Sequence, residues 1–178
     1  MRLLKNVKNS VLLLLEDNQT GALNLKQEAE LRGIKSERII FVNRMPLPEH
    51  LARHKLADLF IDTFPCTAHT TCSDALWAGL PVLTRIGESF VSRVPASLLS
   101  SIGLSELITK SDKEYENLAL ELATNPIKLK KIKKKLENSR LIKPLFDSKL
   151  YTYNIELAYS KIYENYIQNK KPKNIEIR

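Results

Sequence analysis

The stretch that most constrains this chain runs from Leu56 to Arg93, LADLFIDTFPCTAHTTCSDALWAGLPVLTRIGESFVSR. It opens with an apolar run, Leu59 to Ile61, of the length and composition of a buried strand. Asp62 to Ala68 then supplies Asp, Thr, Pro and Cys, which is loop chemistry. His69-Thr70-Thr71 follows, and a helix reading starts there. Thr71 and Asp74 match the [ST]-x-x-[DE] capping box. Ala75, Leu76 and Ala78 continue the helix, Gly79 stands where a C-terminal glycine stops one, and Pro81 follows. Pro81 to Thr84 reads as the next strand, so the whole stretch is a βαβ unit.

In a βαβ unit, ligands bind outside the carboxyl ends of the strands. Free amides at Thr70 to Cys72, the helix dipole and two hydroxyls suit an anion, most often a phosphate. The same residues also read as an ordinary capped helix in which Thr71 only satisfies the backbone and His69 is a loop residue.

A chain of 178 residues is long enough for one domain with a proper core. Its five-residue apolar run, Val11 to Leu15, is too short for a membrane span or a signal h-region. A cytoplasmic protein without a membrane partner is therefore expected. The two cysteines, Cys66 and Cys72, have no metal-ligand spacing and are expected as free thiols. A net charge of +8 favours anionic partners without choosing among nucleotide sugars, nucleic acids and membranes.

Along the rest of the chain, Met1 to Asn9 reads as the end of a helix. Ser10 to Leu15 reads as a strand, its continuous apolar run suiting a parallel sheet buried on both faces. A helix is expected over Ala22 to Arg32, with Leu23, Leu25, Ala29 and Leu31 on its apolar side, then a strand over Arg38 to Val42. Asn43 to Pro48 is a loop. Glu49 to Ala57 reads as a helix with Leu51 and Leu56 facing the core. His50, Arg53 and His54 share one face of it at i, i+3 and i+4. No third ligand accompanies the two histidines, so a solvated basic face is the reading there and no metal is expected.

Beyond the central unit come a helix over Val91 to Ile102, a short strand at Glu106 to Ile108, and a helix from Asp112 to Ala123 opened by a Ser111/Glu114 capping box. Asn125-Pro126 opens another helix, with Leu129, Ile132 and Leu136 as its apolar stripe and six lysines around it. That lysine run lacks interleaved aromatics, so it reads as a solvated face, with no nucleic-acid partner. After a break at Pro144 to Phe146, Leu150 to Ile167 is a long Tyr-rich helix whose stripe of Ile155, Ala158, Ile162 and Tyr166 packs on this domain or seeks a partner. Gln168 to Arg178 is a polar tail expected to fray. The order of elements gives an α/β fold: a Rossmann-like three-layer α/β/α parallel sheet of four or five strands, with residues 1–147 as the domain and 148–178 as helix and tail.

The segments HTTCSDALWAGLPVLT and GESFVSRVPASLL closely resemble the C-terminal catalytic half of the SPINDLY/O-linked N-acetylglucosamine transferase family, inverting glycosyltransferases of the GT-B type. The likeness covers nearly the whole chain. The resemblance implies that the nucleotide diphosphate sits on His69, Thr70 and Thr71, that Asp74 contacts the ribose, and that Met45, His50 and Arg53 read the base. It implies UDP-N-acetylglucosamine (UDP-GlcNAc) as donor and protein Ser/Thr hydroxyls as acceptors, with no cofactor or metal. It also shows departures. Leu47 stands where the family usually has a Lys. The chain begins one βα unit late, without the family's diphosphate-directed Gln and Lys, and the N-terminal half with its proposed catalytic His is absent. The catalytic residues are thus unassigned, and a separate chain is one source of the missing half.

The first expectation is the donor-binding half of a protein O-glycosyltransferase. A relative using GDP-fucose and a non-catalytic nucleotide-binding or interaction remnant are the alternatives.

Overall fold

The computed structural model describes residues 1–177, so Arg178, the last residue of the tail expected to fray, lies outside the described residues. A short helix α1 (Arg2–Asn6) leads into β1 (Leu12–Leu15), α2 (Gln19–Leu31), β2 (Ile39–Val42) and α3 (Leu47–His54). The chain continues through β3 (Phe60–Ile61), α4 (Thr70–Ala78), β4 (Val82–Arg85), α5 (Val94–Ile102) and β5 (Ile108–Thr109). Three further helices close it: α6 (Asp112–Thr124), α7 (Pro126–Ile142) and α8 (Ser148–Ile167).

All strand pairs are parallel, as alternation with helices requires. They fall into two ladders. Leu12 to Leu15 of β1 pair with Ile39 to Val42 of β2. In the other, β4 is central: Phe60 and Ile61 of β3 pair with Val82 and Leu83, and Thr84 and Arg85 pair with Ile108 and Thr109 of β5. No hydrogen-bonded pairing joins β1–β2 to β3–β4–β5 among the described residues.

The core divides in the same way. Around β4 one cluster contains Cys72, Leu76, Val82, Leu99, Ile102, Leu107, Leu122 and Leu136, all buried. A smaller cluster of Leu4, Ala29, Ile34 and Ile39 lies under β1 and β2. The sheet there is covered on one face only. Leu12 and Leu14 join the cluster, but Leu13 and Leu15 are 38% and 41% exposed and Ile40 is 39% exposed. The apolar run of β1 therefore does not mark burial on both faces. The apolar side expected on α2 is also largely open: Ala29 is buried, while Leu23, Leu25 and Leu31 are exposed.

Helix ends follow local chemistry. Gly79 and Gly103 hold φ of +88° and +81° at the ends of α4 and α5. That left-handed turn lets Leu80 N–H reach the Ala75 carbonyl and Leu104 N–H reach the Leu99 carbonyl, both at 2.8 Å. Ser111 Oγ accepts from the Glu114 amide at 3.2 Å, and Glu114 Oε2 accepts from the Lys110 amide at 2.8 Å. The expected cap on α6 is formed. Asn125 and Asp147 cap α7 and α8, accepting from the amides of Lys128 and Leu150.

In α7, Ile132 and Leu136 are buried as the stripe predicts. Three of its lysines are tied to acids of the same domain: Lys128 to Glu121, Lys133 to Asp58 and Lys135 to Glu106. None of the residues of α8 is buried. No helix among the described residues is long and apolar enough to cross a membrane.

Candidate functional site

The site is built where α3 and α4 meet at the carboxyl ends of the strands. His69 occupies the N-cap position of α4. The amides of Thr70 and Thr71 have no acceptor among the described residues, as expected at the first turn of a helix. The Cys72 amide is not free: it donates to the His69 carbonyl at 3.1 Å, as does Ser73 at 3.2 Å. The free amides of this first turn thus narrow to those of Thr70 and Thr71.

The capping box expected from Thr71 and Asp74 is not formed, because the helix begins at Thr70, two residues earlier than that motif requires. Thr71 lies inside the first turn and no side chain caps α4. Thr71 is exposed. Asp74 is released to face α3, with Oδ2 4.0 Å from His50 Nε2.

On α3, Arg53 donates through Nη1 to the Asn43 carbonyl at 2.8 Å and through Nη2 to His50 Nδ1 at 3.1 Å. A guanidinium can only donate, so His50 Nδ1 accepts, and in the neutral ring Nε2 carries the proton toward Asp74. Burial pulls the His50 pKa below 6.5, and the charges of His54 and Arg53 add to that, outweighing the attraction of Asp74. His54 stands edge-on to His50 with ring centroids 4.5 Å apart and donates from Nδ1 to the His50 carbonyl at 2.8 Å. The face of α3 expected to be solvated is therefore an organised seam against α4. Met45, 40% exposed, lies in the loop after β2, two residues along the chain from Asn43, whose carbonyl Arg53 binds. Leu56, expected in the core, is 82% exposed because α3 ends at His54 and Leu56 falls in the turn beyond it.

The loop before α4 contains what sequence reasoning missed. Asp62, at the end of β3, is 7% exposed. Its Oδ1 accepts from the amides of Thr63 at 2.9 Å and Ala68 at 2.8 Å, while Oδ2 accepts from Thr84 Oγ1 at 2.6 Å. Burial raises its pKa, and those hydrogen bonds together with the charge of His69 oppose the rise. Tyr115 of α6 donates to the Asp62 backbone carbonyl at 2.7 Å. Across the site, the Val91 carbonyl accepts from the Thr67 amide at 3.1 Å and from Thr67 Oγ1, and sits 3.5 Å from His69 Nε2. An Asp followed by Thr and Pro reads only as a turn in sequence, so nothing there signalled this role.

Gly87 belongs to the wall beside this loop. A Cβ on it would meet Ser92 Oγ at 2.4 Å and Phe64 at 3.0 Å, so the close approach of these segments requires glycine. A cavity of about 400 Å3 is lined by Asp62, Leu3, Phe64, Arg85, Asp112 and Tyr115 among others. None of His50, Arg53, His69, Thr70, Thr71 or Asp74 lines it. The candidate site is the open helix terminus and not this cavity. Both cysteines are free: Cys66 is exposed, and burial pushes the Cys72 thiol up to about 12. Among the described residues, no group of three His, Cys, Asp or Glu side chains is placed to hold a metal ion.

Comparison with known proteins gives a consistent result. Residues 1–155 match the family model described as glycosyl transferase family 41. The chain is 37% identical over 98% of its length to the probable UDP-N-acetylglucosamine–peptide N-acetylglucosaminyltransferase SEC of Arabidopsis thaliana, of which it spans 18%. It is 35% identical over 93% of its length to the UDP-N-acetylglucosamine–peptide N-acetylglucosaminyltransferase of Caenorhabditis elegans, spanning 14% of it. A solved structure of a variant O-GlcNAc transferase from Thermobaculum terrenum superposes with a TM-score of 0.88 at 28% identity. That match covers 94% of this chain and 33% of the other. The chain therefore spans less than a fifth of the length of these two curated relatives.

Proposed function

The chain belongs to glycosyl transferase family 41, and from that premise we propose that it forms the donor-binding part of a protein O-glycosyltransferase. The donor is UDP-GlcNAc and the acceptors are Ser and Thr hydroxyls of proteins. Residues 1–147 make up the donor domain and 148–178 its terminal helix and tail. The observation that carries this reading is the convergence of two helices: Asp74 of α4, whose first turn leaves the Thr70 and Thr71 amides uncommitted, faces the His50–Arg53 pair of α3.

Each part has a role that its chemistry suits. The amides of Thr70 and Thr71, their hydroxyls and the α4 dipole hold the diphosphate, with His69 beside it. Asp74 accepts from the ribose hydroxyls. Met45, His50 and Arg53 take the base; a neutral imidazole offers a flat face for stacking, and a guanidinium donates to a carbonyl edge. In the transfer, the acceptor oxygen bonds to the anomeric carbon with inversion as the bond to the diphosphate breaks. The acceptor proton passes to a general base, and negative charge builds on the departing diphosphate. Fixed amide dipoles aimed at that charge lower the barrier without reorganising. No residue of this chain is assigned as the base or to the acceptor.

Calorimetric titration of the chain with UDP and GDP tests the reading. UDP should bind in preference. His69→Ala and Thr71→Ala should each weaken UDP by about tenfold, the worth of one hydrogen bond to a charged group. A preference for GDP overturns the base assignment, and wild-type affinity in both variants overturns the diphosphate assignment.

A further inference from the structure

The loop from Asp62 to Ala68 leads directly into His69, yet no secondary structure holds it. Thr67 ties its second half to the Val91 carbonyl, and one side chain, Asp62, holds both of its ends. Asp62 Oδ1 accepts from the amide at each end of the loop, Thr63 at 2.9 Å and Ala68 at 2.8 Å. Oδ2 is anchored by Thr84 Oγ1 at 2.6 Å, and Thr84 is fully buried in β4. The carboxylate therefore rivets both ends of the loop to the central strand.

We infer that Asp62 is the positioning residue of the diphosphate turn: its Oδ1 clamps the peptide preceding His69 and so sets the direction of His69 and of the Thr70 and Thr71 amides. The inference rests on the assignment of the diphosphate to that turn. It explains why a carboxylate stands beside an anion site, where its charge alone is unfavourable. The useful property is an oxygen able to accept two N–H bonds at one point, not the charge. Without that oxygen the Ala68 amide loses its partner in a part-buried place, and the turn must rearrange to satisfy it.

Charge and geometry separate cleanly by substitution. Asp62→Asn keeps Oδ1 for both amides and turns Nδ2 toward Thr84 Oγ1, so its UDP and pyrophosphate affinities should stay within about twofold of wild type. Asp62→Glu keeps the charge but displaces the oxygen by about 1.5 Å, one more carbon–carbon bond. Asp62→Ala removes it. Both should weaken UDP and inorganic pyrophosphate by about tenfold or more.

The experiment is calorimetric titration of the four chains with both probes, with His69→Ala as control. Glu and Ala variants that bind like wild type, or an Asn variant as weak as Ala, overturn the inference while the functional reading stands. A wild-type chain that binds neither probe overturns both. If the Glu and Ala variants fail to fold, the unliganded wild-type chain decides by NMR. The amide shifts of Thr63 and Ala68 should move together with one apparent pKa above the ordinary Asp range, since both report on one carboxyl. His69, Cys72 and Tyr115 are the other titratable groups coupled to that carboxyl; the latter two stay neutral well above the range examined. Independent movement of the two amides overturns the inference.

Discussion

The two ladders of this fold differ sharply in how they are held. The β3–β4–β5 ladder sits on a cluster of twelve buried residues, to which α4, α5, α6 and α7 all contribute. The β1–β2 ladder sits on four, and leaves Leu13, Leu15 and Ile40 open on its other face. The candidate site lies between them in ownership. The turn proposed to hold the diphosphate grows from the well-packed ladder, whereas His50 and Arg53 belong to α3, the link between the two. Precision is thus concentrated where the diphosphate would be held. A parallel strand buried on one face gains only part of the hydrophobic stabilisation its composition allows.

The largest effect should come from the cores themselves. Leu99→Ala, at a fully buried position of the larger cluster, should cost about 3 kcal/mol in urea unfolding. The same change at Leu4 in the smaller cluster should cost about half as much, because a five-residue helix at the margin can relax around the loss. Equal costs would show that the two ladders are energetically one body.

A smaller effect separates the two motifs that look alike in sequence. Ser111→Ala should lower stability by about 1 kcal/mol through loss of a formed cap. Thr71→Ala should change it by less than about 0.5 kcal/mol, since its hydroxyl caps nothing. A Thr71→Ala variant as unstable as Ser111→Ala would restore the capping reading.

The smallest effects are titrations of opposite sign. Asp62 has a raised pKa, so between the ordinary carboxylate value of 3.8 and its own the folded chain holds the proton that the unfolded chain has lost. Its contribution to stability is present at low pH and is lost as pH rises through that window. His50 has a lowered pKa, so between its own value and 6.5 the unfolded chain binds the extra proton. Its contribution grows as pH rises toward 6.5. Urea unfolding across this range should show the falling component disappear in Asp62→Asn and the rising one in His50→Gln.

Much of the architecture is legible in the chain itself. The parallel α/β order, the stop at Gly79, the caps at Ser111 and Asn125 and the buried stripe of Ile132 and Leu136 each follow from neighbours within a few residues. Of the candidate site, His69, Thr70 and Thr71 are legible because a polar turn after an apolar run opens a helix. His50 and Arg53 are legible as one helical face, but that Asp74 turns to face His50 is not.

What the sequence by itself determined is local: periodicity, capping chemistry and turn residues act over one or two turns of helix. What only the tertiary structure decided depends on what comes from far along the chain. Whether Leu13 and Leu15 are covered, whether Asp74 caps its own helix or faces His50, and what Asp62 clamps are all settled by packing between distant segments. Asp62 is the clearest case. Six residues separate it from Ala68 and twenty-two from Thr84, and only the fold brings both within hydrogen-bond reach of one carboxylate.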